Sequence, residues 1–312
     1  MNTGLTIHLL FLAATLLVAQ VTTAAAGSEE DARVTAWSTS TGEFIDQAQL
    51  REALVHADYL IIGEIHDNPL HHQLQADLLG HFADSHDGAI SVGFEQLTVD
   101  QQPLLDAFYQ RAPATAEIFG EAVEWSQSGW PDYSIYQPLF AATLERGLQI
   151  VPLMFSSATT RAIFSGGVEA ALADDALARL RPDTLLSAEE RVSVESEMQD
   201  AHCGKLPESM LPAMVDVQIA RDAFMAYSIV QVAKRAVIIT GNGHARRDRG
   251  MPRFIERLRP EASILVINLL EVAGDESDTL ATLADERAGT GITDYAVFTP
   301  QHPRSDPCLA FQ

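Results

Sequence analysis

Six short apolar runs constrain what this chain can become. They are "YLIIGE" at 59–64, "AISVGFE" at 89–95, "LQIVPLMF" at 148–155, "AVIITG" at 236–241, "SILVINLLEV" at 263–272 and "YAVFTP" at 295–300. A strand wetted on one face alternates apolar and polar residues, whereas one covered on both faces reads as an unbroken apolar run. Helix-forming stretches separate most of the six. The expected class is therefore α/β, a largely parallel sheet flanked by helices.

The rhythm breaks once. From Ser156 to Ala233 no strand pattern occurs, and acidic, helix-forming sequence is broken at Gly166-Gly167 and Pro182 and continues into a long helix from about Ser209. We read an inserted helical subdomain at about 156–233. Met198, Met210, Met214 and Met225 fall within it. Thioether side chains fill irregular apolar space, so these four pack a core or line a pocket for a flat ligand.

The amino-terminal stretch has an apolar run, Leu9 to Ala19, followed by Ala24-Ala25-Ala26. That is the form of a secretory signal, with cleavage expected near Ala26 and a single domain at 27–312. In an oxidising compartment the two cysteines, Cys203 and Cys308, read as one disulfide, with free thiols or a pair of metal ligands as alternatives. A net charge of −23 argues against nucleic acid as a partner, because phosphate recognition needs a basic surface.

Two strand ends carry the same punctuation. "YLIIGEIH" and "AVIITGNGH" both run from a strand into Gly-x-x-His, pairing Gly63 with His66 and Gly241 with His244. We expect the glycine to permit a sharp turn and the imidazole to sit beyond the carboxyl end of the strand, where open α/β sheets bind ligands. "AISVGFEQ" brings Glu95 and Gln96 to the same edge. Glu64, His66, Glu95, Asn242 and His244 are thus expected to converge. Such groups suit a divalent transition metal, acid–base work or a polar ligand, and capping of neighbouring helices is the bland alternative.

Other stretches are more ambiguous. Asp67 or Asn68 caps a helix with Pro69 in its first position, which places His71 and His72 in the opening turns. Each is expected at the surface, with at most one facing the site. Arg246, Arg247, Arg249 and Arg253 cluster after the second Gly-x-x-His, as anion binders or salt-bridge partners. Gln218, Arg221 and Asp222 share one face of the long helix. The aromatic residues of 124–140, Tyr133 and Tyr136 among them, pack a core or wall a ligand.

Together "LIIGEIHDNPLHH", "GFEQ", W-x2-Y-x2-Y-x-P at 130–138, "AHCGKLP", "VQIARDAFMA", "TGNGHARRDRGMP" and "FTPQHPRSDPC" resemble the ChaN-like haem-binding uptake family, within a broader group that includes Tiki and TraB proteins. The resemblance covers nearly the whole mature chain. It implies a role in bacterial iron or haem acquisition and a homodimer enclosing a cofacial haem pair, with tyrosine on iron and propionates held by the partner subunit. Tyr133 and Tyr136 are the candidate ligands and Tyr227 the next; His66, His244, Arg221 and Arg246 are the other candidates for contact with haem. The broader group implies instead a metal-dependent hydrolytic site of His66, Glu95 and His244, with Glu64 as an extra carboxylate. Two features depart from the family. No cysteine follows the signal, so the expected residence is the periplasm in soluble form, with an outer-membrane uptake partner. The third strand also ends in Met154-Phe155-Ser156, where relatives carry a polar amide.

Overall fold

All six apolar runs form strands, and they lie parallel to one another. The computed structural model describes residues 35–111, 113–272, 291–306 and 308–309; the expected signal peptide, residues 1–26, lies outside them. The strands are β1 (Thr35–Ser38), β2 (Glu43–Ile45), β3 (Tyr59–Glu64), β4 (Ser91–Thr98), β5 (Gln149–Met154), β6 (Ala236–Gly241), β7 (Ile264–Val272) and β8 (Tyr295–Pro300). They make one eight-stranded sheet in the order β2-β1-β8-β7-β3-β6-β4-β5. Among the described strands only β1 runs opposite to the rest, pairing antiparallel with β8 on one side and with β2 on the other. Four and three residues long, β1 and β2 are too short for the periodicity by which the others are read.

Helices cover both faces, which is why the central strands carry no polar alternation. On one side lie α1 (Gln47–Leu54), α2 (Pro69–Asp84), α3 (Gln102–Tyr109), α4 (Ala116–Ala122) and α5 (Tyr133–Glu145). The other side holds α6 (Ser157–Gly166), α7 (Asp174–Leu180), α8 (Ala188–Ala201), α9 (Leu211–Val232) and α10 (Met251–Leu258). Successive residues of β3 feed opposite cores: Tyr59 and Ile61 face the α9 side, Leu60 and Ile62 the α2 side. None is more than 1% exposed, and each buried side chain of this size contributes about 1.5–3 kcal/mol relative to exposure. The strand bodies form a rigid platform, and chemistry is confined to their ends.

Helices α6 to α9 occupy the chain between β5 and β6, the stretch without strand signal. The long helix begins at Leu211, with Pro212 in its first turn after a short 3-10 turn at Glu208–Met210. At 1.5 Å per residue its 22 residues span about 33 Å. Beyond the end of α8, Cys203 is disulfide-bonded to Cys308. Arg304 of the same carboxyl-terminal tail pairs with Asp67 and Glu271, holding the tail near the start of α2.

Candidate functional site

Sheet register brings the two Gly-x-x-His segments together. Strands β3 and β6 are neighbours with Gly63 opposite Thr240 and Glu64 opposite Gly241, and β4 flanks β6 on its other side. His66, Glu95 and His244 therefore leave adjacent parallel strands at the same edge. The glycines serve close approach rather than the expected turn, since neither has a left-handed φ. A Cβ on Gly63 would lie 2.5 Å from Asn242 Oδ1 and 2.8 Å from Ala245 Cβ; one on Gly241 would lie 2.8 Å from Cε1 and Nε2 of His66.

Glu64 organises one half of the site. Its Oε1 is 3.0 Å from His66 Nδ1 and accepts from Gln96 Nε2 at 2.8 Å; its Oε2 is 2.7 Å from His72 Nδ1. Burial opposes the charge on Glu64, but the two histidines outweigh it and hold the carboxyl below its ordinary range. Burial likewise opposes a proton on His66, while Glu64 and Glu95 raise its pKa overall. With Nδ1 committed to Glu64, Nε2 of His66 has no hydrogen-bond partner among the described residues. The His66 side chain is 39% exposed, and the edge of Trp130 stacks on its ring at 4.7 Å. It is the open member of the cluster.

The other half is closed. His244 is buried, with Nδ1 2.8 Å from Asp222 and 3.0 Å from the amide of Gln218, and Nε2 3.4 Å from Glu95. Glu95 in turn accepts from Thr240 Oγ1 at 2.6 Å and from the Gly241 N–H at 2.7 Å. Burial works against the imidazolium, yet Glu95 and Asp222 lift the pKa of His244 to about 10. Glu95 is driven well below the carboxylate range despite its own burial, by His244, His66 and Thr240. Burial lifts Asp222 to about 6 against the pull of His244. The edge thus holds one cationic imidazole clamped between carboxylates beside a second, solvent-facing one, an arrangement able to shuttle protons or orient a polar ligand.

Several expectations change. His71 and His72 are both fully buried rather than exposed. His71 accepts from the Ile65 N–H at 3.0 Å and reaches Thr299 Oγ1 at 2.8 Å, while His72 touches Glu64 and the His66 carbonyl. They lock the loop that aims His66, helped by Asn68, which caps α2. Asn242 turns away from the cluster, donating to the Leu269 carbonyl. The arginine cluster is spent within the chain: Arg246 on Asp248, Arg247 on Asp294 and Glu256, Arg249 on Glu197, and Arg253 on backbone carbonyls. Tyr133 donates to the Ala116 carbonyl and Tyr136, fully buried, to that of His66; Tyr227 bonds Asp175. Among the described residues no three His, Cys, Asp or Glu side chains are grouped to hold a metal ion. The metal set Glu64, His66, Glu95 and His244 is therefore unsupported; its carboxylates and His244 are engaged with one another and with Asp222, His72 and Thr240.

The site also contains what sequence reading ranked too low. Asp222 and Gln218 stood out as polar positions on an apolar helix, and both contact His244. Met198 and Met214 line a groove beside α9, with Arg221; Met225 is buried in the core and Met210 lies outside the groove.

Comparison with known proteins places these observations. A family model described as haem-binding uptake, Tiki superfamily, ChaN matches residues 50–255. No curated protein sequence matches. Among solved structures the chain is similar to ChaN of Campylobacter jejuni, determined in cofacial haem binding, at 19% identity over 85% of this chain and 96% of that one, with a TM-score of 0.64. Two more distant likenesses are the type III effector HopBA1 (10% identity, 81% of this chain and 92% of that one, TM-score 0.41) and a mutant of the erythromycin esterase EreC in its open conformation (11%, 88% and 99%, TM-score 0.45). The first shares the fold; the last two are too remote to bear on function.

Proposed function

The chain belongs to the haem-binding uptake family of the Tiki superfamily, with ChaN, and from that premise we propose that it is a periplasmic haem-binding protein of iron acquisition, dimeric when loaded and supplied by an outer-membrane uptake partner. The family match over residues 50–255 carries this reading. Among the described residues of the strand edge, one donor fits haem iron. Nε2 of His66 is unengaged, and a Cβ on Gly241 would fill the space against it. Glu64 on Nδ1 fixes the ring and strengthens it as a donor, as carboxylates do behind metal-bound histidines. Tyr133 and Tyr136 fit less well as iron ligands, because both hydroxyls are donated inside the fold and burial pushes their pKa values far up. When bound, haem supplies the iron; this chain supplies a fixed imidazole and an apolar wall at Trp130. Titration of haem into the protein is expected to give a shifted Soret band that His66→Ala displaces and Tyr133→Phe leaves in place. No spectral change at stoichiometric haem would overturn the reading, and gel filtration with and without haem tests the dimer.

One observation favours a second reading, hydrolysis at the same edge. His244 is held protonated between Glu95 and Asp222, and buried Gln96 Oε1 has no hydrogen-bond partner among the described residues. Charges buried at such cost cluster at acid–base sites. Turnover of activated esters, abolished in Glu95→Gln, is the outcome this reading requires; turnover unchanged by that substitution excludes it.

A further inference from the structure

The aromatic stretch at 124–140 divides between core and surface. Tyr136 and Phe140 are fully buried on the α2 side of the sheet. Trp125, Trp130 and Tyr133 extend from that core to line a pocket of about 520 Å³ between α4, the loop that follows it and the start of α5. Ligand sites commonly have volumes of about 300–1,000 Å³. Gly120 closes so tightly on the Tyr133 ring that a Cβ there would lie 2.6 Å from Cγ. Glu124 takes a left-handed φ of 55° just before Trp125, and Gly129 one of 83° just before Trp130. A residue with a side chain rarely adopts that conformation, and such strain gathers where ligands are held.

What this pocket presents follows from how its polar atoms are spent. The Trp125 indole N–H donates to the Pro131 carbonyl at 2.9 Å, and the Tyr133 hydroxyl to that of Ala116 at 2.7 Å. Trp130 meets the His66 ring edge-on at 4.7 Å, and no other aromatic ring stacks on it among the described residues. The lining therefore offers π surface and two carboxylates, Glu121 and Asp132, and it contains no basic side chain. Aromatic faces attract cations, best of all alkylated ones, which have little hydration to lose. The carboxylates add potential of the same sign and repel anions. Other concavities are of mixed charge. The cleft of about 660 Å³ between α2 and α5 sets Arg51 and Arg146 among Asp77, Asp84 and Glu145, and the groove of about 490 Å³ beside α9 sets Arg221 and Arg249 against Glu197. Neither is lined by a tryptophan or a tyrosine.

We propose that the pocket beside Trp130 binds an alkylated ammonium group, held against the rings of Trp130, Trp125 and Tyr133 with Glu121 and Asp132 as its counter-charge. Because Trp130 also touches His66, the cation sits next to the open half of the strand edge. Recognition here comes from aromatic faces and carboxylates. It needs no iron and stands without the haem reading above.

The test is calorimetric titration of the full protein with choline chloride at fixed ionic strength, alongside the uncharged choline isostere in which carbon replaces nitrogen. Haem titration by absorbance is run on the same preparations. Wild type is expected to bind choline saturably and the isostere about tenfold more weakly or worse. Trp130→Ala should weaken choline about tenfold or more, and Trp130→Phe should recover part of the loss. Glu121→Gln combined with Asp132→Asn should weaken it about threefold or more; asparagine keeps the cap that Asp132 gives α5. Should Trp130→Ala fail to fold by circular dichroism, the carboxylate pair and the isostere carry the test. Equal binding of choline and its isostere, equal choline affinity in wild type and Trp130→Ala, or no saturable choline binding by wild type overturns the site. Haem binding without choline binding leaves the haem reading standing and removes this one; choline binding without haem binding does the reverse.

Discussion

Asp222 Oδ1 lies 2.8 Å from His244 Nδ1, joining α9 to the loop that follows β6. With Glu95 at the other nitrogen, the imidazole is a buried cation between two acids. Because its folded pKa is raised from the ordinary 6.5 to about 10, the native state binds the proton more tightly than the unfolded chain. Its stabilising contribution is therefore fully present below pH 6.5 and is lost as pH rises through 10. Denaturant unfolding between pH 7 and 10 should show a declining stability, on the order of 3–5 kcal/mol in full. In His244→Gln that decline should vanish, at the cost of lower stability at pH 7, since two buried carboxylates lose their cation. A flat wild-type profile would refute the clamp.

His71 predicts the opposite sign. Burial drops its pKa to about 4, despite Glu64 and Glu271 pulling the other way. The folded state holds this ring neutral while the unfolded chain protonates it, so its contribution is present above pH 6.5 and fades as pH falls through 4. Asp222, raised to about 6, favours the native state at acid pH and opposes that loss, so the test must be residue-specific. Because Nδ1 accepts from the Ile65 N–H, the proton belongs on Nε2, which donates to Thr299. Nitrogen-15 NMR should find the Nε2–H tautomer with no titration between pH 7 and 5. A midpoint near 6.5 would mean the ring is not locked.

The carboxyl-terminal tail should act as a brace. The Cys203–Cys308 bond closes a span of 105 residues, worth about 4–5 kcal/mol in the chain-entropy model. Arg304 adds bonds to Glu271 at 2.6 Å and to Asp67 at 2.7 Å. Reduction under non-denaturing conditions should lower the melting temperature sharply, and Arg304→Ala should cost about 1–3 kcal/mol more in the reduced protein. Unchanged melting on reduction would show that the tail contributes nothing.

What could be read from the sequence follows from period and register. Unbroken apolar runs revealed the six parallel strands, because burial on both faces leaves a local mark in composition. The pairing of His66 with His244 was legible because both follow strands of the same kind, yet their adjacency depended on strand order, which no local pattern records. His71 and His72 were misjudged for a related reason: their burial comes from Thr299 on β8 and Glu64 on β3, partners brought in by the fold. Asp222 showed itself only as an acid on an apolar helix face. The short antiparallel edge, β1 and β2, carried too few residues to declare itself.

Gly241→Ala separates ligand chemistry from folding. The added Cβ would meet only the outer atoms of the His66 ring within 3 Å, with Glu95 at an ordinary 3.7 Å. That ring is part-exposed and can yield outward at the expense of its Glu64 contact, so stability should fall by only about 1 kcal/mol while Nε2 leaves its place. Haem titration should then give a displaced or weakened Soret band with at least a tenfold loss of affinity. Gly63→Ala is the converse. Its Cβ would press on Asn242, Ala245 and Asn268 at 2.5–2.8 Å, inside the fold, and overpacking of that kind costs about 1–3 kcal/mol. The folded fraction of Gly63→Ala should keep the wild-type haem spectrum. If Gly241→Ala instead binds haem with the wild-type spectrum, His66 Nε2 is not the iron donor, and the ligand must be sought elsewhere on the strand edge.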